Sequence, residues 1–377
     1  MTSTQTRFRT TRSTGATPTR RGAPRGQGAA GWLFVSPTLI VLGLFLLVPV
    51  LMALWVSFSD WTGNGSPFSA NVHFVGTANY DKLLSGGGLA ETNFGTSIRN
   101  NAWYVVFVVP IQTGVSLLLA VLVNRRILRG RSFFRTAFYF PSVTSSVAIT
   151  VLWLFLFSTT GAVNKALSYL GVHGPNWFND PDGIIHIALR ALGVTTGPAA
   201  LTQNSTLGVS WWDWLAGPSV AMSAFILMAI FTTSGTFMLL FIAALQNLGA
   251  DVDEAAMIDG ANAWHRFWKI TLPQLRPTVF TVLTLGLIST WQVFDQIYTG
   301  TKGAPQNTTL TPSYLSYTSA FGNQAWGQGA AIAFILFVII VVLTALQRYV
   351  LRDRAVSKRR LRLYEPIRPT TTDEVQR

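Results

Sequence analysis

Apolar residues along this 377-residue chain gather into six long runs separated by polar segments: Trp32–Trp55, Ala102–Val123, Phe138–Ser158, Ser219–Leu245, Thr278–Tyr298 and Ala330–Val350. Each is close to the ~20 residues that carry a helix across a ~30 Å hydrocarbon layer at ~1.5 Å per residue. The runs are continuous rather than alternating, which excludes the in-out pattern of a membrane β-barrel. Helices are then the elements that satisfy their own backbone in lipid. The pattern predicts an all-α integral membrane protein with six transmembrane helices.

The segments between the runs are of several kinds. Residues 1–30 are rich in Arg, Thr, Gly and Pro and read as a disordered basic tail. The first run is longer than the ~7–15 residues of a signal-peptide core and lacks a small-residue cleavage site, so it is expected to stay as a helix. Residues 56–101 contain the turn Gly86–Gly88, residues 159–218 form the largest loop, and 299–329 are polar. The largest loop carries an internal echo, Asn176-Trp177-Phe178-Asn179-Asp180-Pro181 against Trp214-Leu215-Ala216-Gly217-Pro218, with a short helix expected between them at Ile184–Leu192. Trp211, Trp212 and Trp214 read either as an aromatic belt at the headgroups or as a docking surface. A second tail spans 351–377.

Charge settles the orientation that this pattern implies. Only 11% of residues are charged, less than half of the ~25% usual in soluble proteins, yet the net charge is +13. Of the 28 Lys and Arg, Lys82, Arg99, Lys165, Arg190 and Lys302 fall in one set of loops, and the other 23 lie on the opposite side. By the positive-inside rule both termini and the segment 251–273 are cytoplasmic. The same distribution makes topology a better account of the charge than nucleic-acid binding, with the lipid bilayer as the partner of some basic residues. The chain has no cysteine, so disulfides, thiolate metal sites and cysteine nucleophiles are excluded.

The polar segment between the fourth and fifth runs has its own signature. Glu254, Ala255 and Ala256 are followed by Asp259-Gly260, and after nine intervening residues come Ile270, Leu272 and Pro273. Asp251, Asp253 and Glu254 suit the start of a helix through its dipole. Gly260 can take positive φ and turn the chain, and Pro273 suits the beginning of the next helix. A short helix, a turn and a second helix returning to the membrane are predicted.

This segment resembles the EAA loop of ABC-importer permeases. Other segments resemble the sugar-type members in the same order: Ser36-Pro37, Ser57-Phe58-Ser59-Asp60-Trp61, Val75-Gly76 with Asn79-Tyr80, Arg131-Ser132-Phe133-Phe134-Arg135 with Pro141, Gly161-Ala162-Val163-Asn164, and Phe294-Asp295-Gln296-Ile297-Tyr298 with Gly303-Ala304-Pro305. The resemblance covers about 31–350; residues near 178–213 look inserted, and Gly303-Ala304-Pro305 replaces a more usual Gly-Gly-Pro. It implies a type I importer-like permease domain of a bacterial cytoplasmic membrane. The implied partners are a second related permease in a heterodimer, two copies of a nucleotide-binding ATPase, and an extracytoplasmic solute-binding protein that delivers a sugar. It implies no cofactor in this chain, ATP and Mg being bound by the ATPase. It also implies that Glu254, Ala255, Ala256, Asp259, Gly260, Leu272 and Pro273 couple the permease to that ATPase.

Candidates for a solute path are few. Asp295 is the one acidic residue inside the six runs, and a charge at that depth faces a cavity, a partner or the nearby interface. Gln292 lies one turn away, on the same face by i, i+3 spacing. Trp291 and Tyr298 offer faces for a sugar ring, or belong to an aromatic belt. Thr232, Thr233, Ser234, Gly235 and Thr236 either mediate helix packing or line a polar cavity. No lysine follows a glycine, so there is no P-loop, and His73, His173, His186 and His265 show no metal-binding spacing. A secondary transporter or channel would need ion or proton sites in the membrane, and a membrane enzyme would need clustered acids or histidines.

Overall fold

The computed structural model of the chain describes residues 26–124, 129–248 and 250–351, with backbone alone at 26–30 and 250–253. Most of the two predicted tails lies outside these residues. The chain divides into two compact units, one ending at Met52 and one starting at Ala53. The first unit is helical from Gly26, inside the predicted tail: α1 (Gly26–Leu42) passes through a π-helical turn at Gly43–Leu47 into α2 (Val48–Ser57).

The second unit continues with α3 (Ala78–Leu84), α4 (Leu89–Asn124), α5 (Arg131–Val143), α6 (Ser146–Leu156), α7 (Ala162–Tyr169), α8 (Ile184–Ala191) and α9 (Ala199–Thr202). A two-residue antiparallel ribbon, β1 (Ser205–Thr206) and β2 (Val209–Ser210), pairs Ser205 with Ser210. Then come α10 (Trp211–Trp214), α11 (Val220–Gln246), α12 (Ala250–Ile258), α13 (Ala263–Arg266), α14 (Leu272–Gln274), α15 (Arg276–Trp291), α16 (Asp295–Thr299), α17 (Pro312–Tyr317) and α18 (Trp326–Val350). Among the described residues five stretches are long and apolar enough to span a membrane: Gly31–Ser57, α4, α11, Arg276–Thr299 and α18. The bent pair α5 and α6 makes a sixth if it counts as one span.

Three spans depart from the simple runs. The second begins at Leu89, thirteen residues before the predicted Ala102, so much of the predicted loop is helix. Its extra turns are polar because they face protein: Asn100 Nδ2 donates to the carbonyls of Asn307 (2.8 Å) and Leu310 (3.0 Å), and Asn101 Nδ2 to Trp291 O (3.3 Å). The third span, predicted as one run over Phe138–Ser158, is two helices bent by 98°. Pro141 removes an amide donor near the end of α5, and Thr144 and Ser145 are extended within a run of hydroxyl residues that compete for backbone partners. The fifth run breaks between α15 and α16, where Gln292 (φ −99°, ψ 15°) and Phe294 (φ −137°, ψ −58°) leave helical geometry.

Packing within the second unit follows from the membrane setting. Lipid tails are as apolar as leucine, so helices there associate through close approach and hydrogen bonds rather than through the hydrophobic effect. Helix α11 is the centre, against α4, α5 and α15. It starts on Ser219, whose hydroxyl accepts from Met222 N (3.0 Å). One apolar cluster gathers Phe94, Met222, Phe225, Ile297 and Ile332; another, toward the 250–275 hairpin, gathers Val123, Met238, Phe241 and Val282. Gly235 lets α11 lie against the backbone of α5, since a Cβ there would run into the Phe138 carbonyl.

The large loop is a folded unit. Its two echoed segments are brought together: Ile184 N donates to Pro218 O (3.0 Å), Val220 N to Asp182 O (2.9 Å), and Gly183 bridges Ser219. Helix α8 lies between them as expected. The tryptophans hold this loop, which neither the belt nor the docking reading anticipates. Trp212 stacks on His186 at 4.5 Å, Trp211 Nε1 donates to Thr206 Oγ1 (2.9 Å), and Trp214 O accepts from Trp103 Nε1 (2.9 Å).

Candidate functional site

The two broken spans face one another across α11. Residues from α5 and α6, from the middle of α11, and from α15 and α16 enclose a cavity of about 490 Å³. That lies within the ~300–1,000 Å³ usual for small-molecule sites. Its polar lining is Ser142, Ser146, Thr232, Thr233, Thr236, Ser289, Gln292 and Gln296, with Thr144 at the bend, and among the described residues no charged one lines it. Ser146 Oγ donates to Asp295 Oδ2 (3.0 Å), joining the first turn of α6 to the first turn of α16. Irregular backbone at membrane depth is tolerated where it is buried in protein or lines a cavity, and both helix breaks lie beside this one.

The hydrogen bonds show which lining groups remain available. Ser142 donates to Tyr139 O (2.6 Å), Thr232 to Met228 O (3.0 Å) and Ser289 to Gly286 O (3.1 Å), so these hydroxyls keep acceptor lone pairs toward the cavity. Thr236, Gln292 and Gln296 have no side-chain hydrogen bond among the described residues. Thr233 Oγ lies 2.7 Å from Ala229 O and 2.6 Å from the Gln112 side-chain amide. A hydroxyl has one hydrogen. It can serve only one of the two, and it donates to Gln112 Oε1, with Ala229 O as the alternative acceptor. The Gln112 amide nitrogen has no partner among the described residues, in a fully buried side chain. The cavity therefore presents two free amides, one free hydroxyl and a ring of acceptors.

The structure sorts the predicted path residues. Thr232, Thr233, Thr236 and Gln292 line the cavity, whereas Ser234 is buried and returns its hydroxyl to Ile230 O, and Gly235 is at the α5 contact. The packing and cavity readings of that stretch thus hold for different residues. Asp295 sits at the rim, exposed, and the expected shared helical face with Gln292 is lost at the break. Trp291 is 5% exposed and packs with Leu336 and Ile340, so it offers no ring face to a ligand. Tyr298 lies outside the cavity in a cluster with Phe294, Tyr314 and Tyr317. The neighbouring Tyr298 phenol holds the Tyr317 phenol above its ordinary value. Gln112, Ser142, Ser146, Ser289 and Gln296 escaped the sequence reading, although Gln112 was marked by standing as an amide within an apolar run.

The second candidate site is the hairpin 250–275. Helix α12 ends at Gly260 (φ +77°), where Ala261 N donates to Ala256 O (2.9 Å) and Gly260 N to Met257 O (3.1 Å), the paired bonds of a glycine-terminated helix. Asn262 then caps α13, accepting from His265 N (2.8 Å). Glu254, Ala255 and Asp259 are exposed, Ala256 is buried, and Leu272 and Pro273 are half-buried at α14. Asp251 and Asp253 have side chains outside the described residues. Ile258 (86% exposed), Trp264 (68%), Met257 (50%) and Trp268 (48%) give this polar hairpin large uncovered apolar side chains, the character of a protein-docking surface.

Comparison with known proteins gives consistent likenesses. Residues 112–356 match the family described as binding-protein-dependent transport system inner membrane component. The chain is 30% identical over 342 residues to the lactose transport system permease protein LacF of Rhizobium radiobacter, covering 90% of this chain and 99% of that one. It is 28% identical over 326 residues to the probable starch degradation products transport system permease protein AmyD of Thermoanaerobacterium thermosulfurigenes, covering 86% and 95%. In fold it is similar to a chain of a bacterial ABC transporter that imports the acidic polysaccharide alginate (TM-score 0.65, 19% identity, 87% of this chain and 97% of that one). A chain of the alginate transporter in complex with an alginate pentasaccharide-bound periplasmic protein gives a TM-score of 0.64 at 18% identity, over 86% of this chain and 95% of that one.

Proposed function

The chain belongs to the binding-protein-dependent transport system inner membrane component family, as a multi-pass permease subunit of a sugar-type ABC importer in the cytoplasmic membrane and not an enzyme, and we propose that it carries an uncharged sugar or oligosaccharide through the cavity beside α11. The observation that carries this reading is the cavity lining. Free amides at Gln292 and Gln296, the Thr236 hydroxyl and a ring of hydroxyl lone pairs match the mixed donors and acceptors of a polyol. A phosphate or carboxylate substrate would call for Arg or Lys in the lining, whereas the charged group bonded to a lining residue is the carboxylate of Asp295, on Ser146.

In this reading a solute-binding protein delivers the sugar to the face opposite the hairpin. A second, related permease completes the path, and two ATPase subunits bind ATP and Mg on the cytoplasmic side. The exposed helix α12, with Glu254, Ala255 and Asp259 outward and the turn at Gly260, seats in one ATPase and transmits its closure to the broken helices around the cavity. Both termini are then cytoplasmic, in keeping with the positive-inside distribution. The lactose and starch-product permeases named above favour neutral saccharides as the cargo.

The experiment is a purification and an uptake panel together. The tagged full chain is isolated in mild detergent, and what accompanies it is identified by mass spectrometry. Uptake of radiolabelled neutral oligosaccharides, a uronate oligosaccharide and glycerol phosphate is then compared with and without the chain. The expected result is a second permease and an ATPase at one to one to two, with loss of neutral sugar uptake alone. Loss confined to the uronate or the phosphate ester would refute the cargo, and an isolated homo-oligomer would refute the assembly.

A further inference from the structure

A second cavity, of about 1,050 Å³, takes no part in the path above. It is a groove between α15 and α18 at their hairpin ends. Its walls are apolar, from Leu272, Val279, Phe280, Val350 and Leu351, and among the described residues its charged lining is Arg276 and Arg348, with no acid. Arg276 is the first residue of α15, which follows α14 after Leu275. Arg348 forms no ion pair among the described residues.

A further detail points into the groove. Thr281 and Thr284 return their hydroxyls to Pro277 O (2.9 Å) and Phe280 O (2.8 Å), as threonines in membrane helices ordinarily do. Thr344, which also lines the groove, has a buried hydroxyl without a partner. A buried hydroxyl without a hydrogen bond is costly, and a ligand oxygen would meet it.

We propose that this groove holds one anionic phospholipid, of phosphatidylglycerol type. Its phosphate lies between the Arg276 and Arg348 guanidiniums, a glycerol or ester oxygen meets Thr344, and an acyl chain lies along Val279 and Phe280. Two arginines at one mouth of an apolar groove between membrane helices are the charge and polarity complement of such a lipid, which a zwitterionic lipid matches less well. Leu272 belongs to both this groove and the hairpin, so the bound lipid fastens the hairpin's exit to α18. Occupancy thereby supports the coupling surface.

The full chain, purified with whatever partners accompany it, is exchanged into detergent and titrated with phosphatidylglycerol or phosphatidylcholine, and bound lipid is counted by native mass spectrometry. One tightly held phosphatidylglycerol per chain is expected, preferred over phosphatidylcholine by about 25-fold, or about fivefold for each arginine. Arg276→Gln with Arg348→Gln should abolish the preference, and the lysine pair should retain most of it. A photoactivatable acyl chain on phosphatidylglycerol, used with the unmodified protein, should crosslink within 279–284 and 344–351. Equal retention of the two lipids, or crosslinks confined to other helices, overturns the proposal even if the arginine variants fail to fold.

Discussion

Replacing Thr233 by valine tests the assignment of its hydroxyl directly. The side chain keeps its shape and loses one oxygen. Thr233 lines the cavity, yet its hydroxyl donates to Gln112 Oε1, with Ala229 O as the alternative acceptor. Its removal leaves the Gln112 side-chain oxygen without a partner in a side chain that is fully buried. An unsatisfied buried polar group costs about 1–3 kcal/mol, and its low-dielectric surroundings place this one toward the upper end. Gln112→Met alone should cost less, because Thr233 can then donate to Ala229 O. The double variant removes both partners at nearly constant shape, and such a pair replaced together is close to neutral. Thr233→Val should therefore be destabilised by about 1–3 kcal/mol, and Gln112→Met should recover most of that, giving a coupling energy of about 1–2 kcal/mol. The assay is reversible unfolding in mixed micelles for all four proteins, beside uptake half-saturation for each. If Thr233→Val is as stable as the parent and instead raises half-saturation, the hydroxyl is a sugar ligand and the latch to Gln112 is refuted.

The remaining predictions separate sites from scaffold. Gln292→Leu with Gln296→Leu should leave unfolding unchanged and raise uptake half-saturation by about 10- to 100-fold, the loss of two hydrogen bonds at about 0.5–1.5 kcal/mol each; an unaltered half-saturation would assign the sugar to the partner permease. Gly260→Pro, or Glu254→Lys, should leave the chain in the membrane but abolish uptake while ATPase activity persists, measured in proteoliposomes; normal uptake in both excludes the hairpin from coupling. Gly235→Val should cost about 1–3 kcal/mol or more by forcing α11 from the Phe138 carbonyl, and a stable, active variant would refute the close approach. Asp295→Asn should leave neutral uptake intact and let uronate oligosaccharides compete more strongly, since the rim loses its negative charge; unchanged competition would show that the carboxylate exerts no field on the path.

Much of this was legible in the chain because it depends on local composition. The six runs, the capped start of α11 at Ser219, the turn at Gly260 and the short helix from Ile184 are written in hydropathy and in residues with one conformational role. The hydroxyl stretch at Thr232–Thr236 signalled that α11 meets something polar, and Pro141 lies beside the bend of the third span. The break after Trp291 had no such signal. Residues 291–294 contain neither glycine nor proline, and the break is held from a distance, by Asn101 Nδ2 on Trp291 O and Thr311 Oγ on Val293 O (3.1 Å). The true start of α4 was hidden for the same reason. Asn100 and Asn101 read as loop because hydropathy cannot tell a polar group facing water from one facing a carbonyl of the same protein. Trp291 was misjudged because aromatic character alone does not say which side of a helix is covered.

The two breaks also bear on how such a site can open. A continuous α15–α16 helix and a straight α5–α6 helix would satisfy their own carbonyls and amides, and a sugar between them would meet only side chains. Breaking both places two new helix starts, at Ser146 and Asp295, beside the cavity and ties them through one hydrogen bond between those residues. The connection is exposed and a single hydrogen bond contributes about 0.5–1.5 kcal/mol, small enough for one element to move without the other. By contrast, the carbonyls at Trp291 and Val293 are held by buried asparagine and threonine side chains, so the α15 side of the break is the firmer one. The moving part should then be α5 and α6. Their bend at Thr144 and Ser145 carries no described bond from another element at its own backbone. Disulfide closure of engineered cysteines at 146 and 295 should lock the cavity and stop uptake, with recovery on reduction. Undiminished uptake with the disulfide formed would show that the two helix starts travel together and that the motion lies elsewhere.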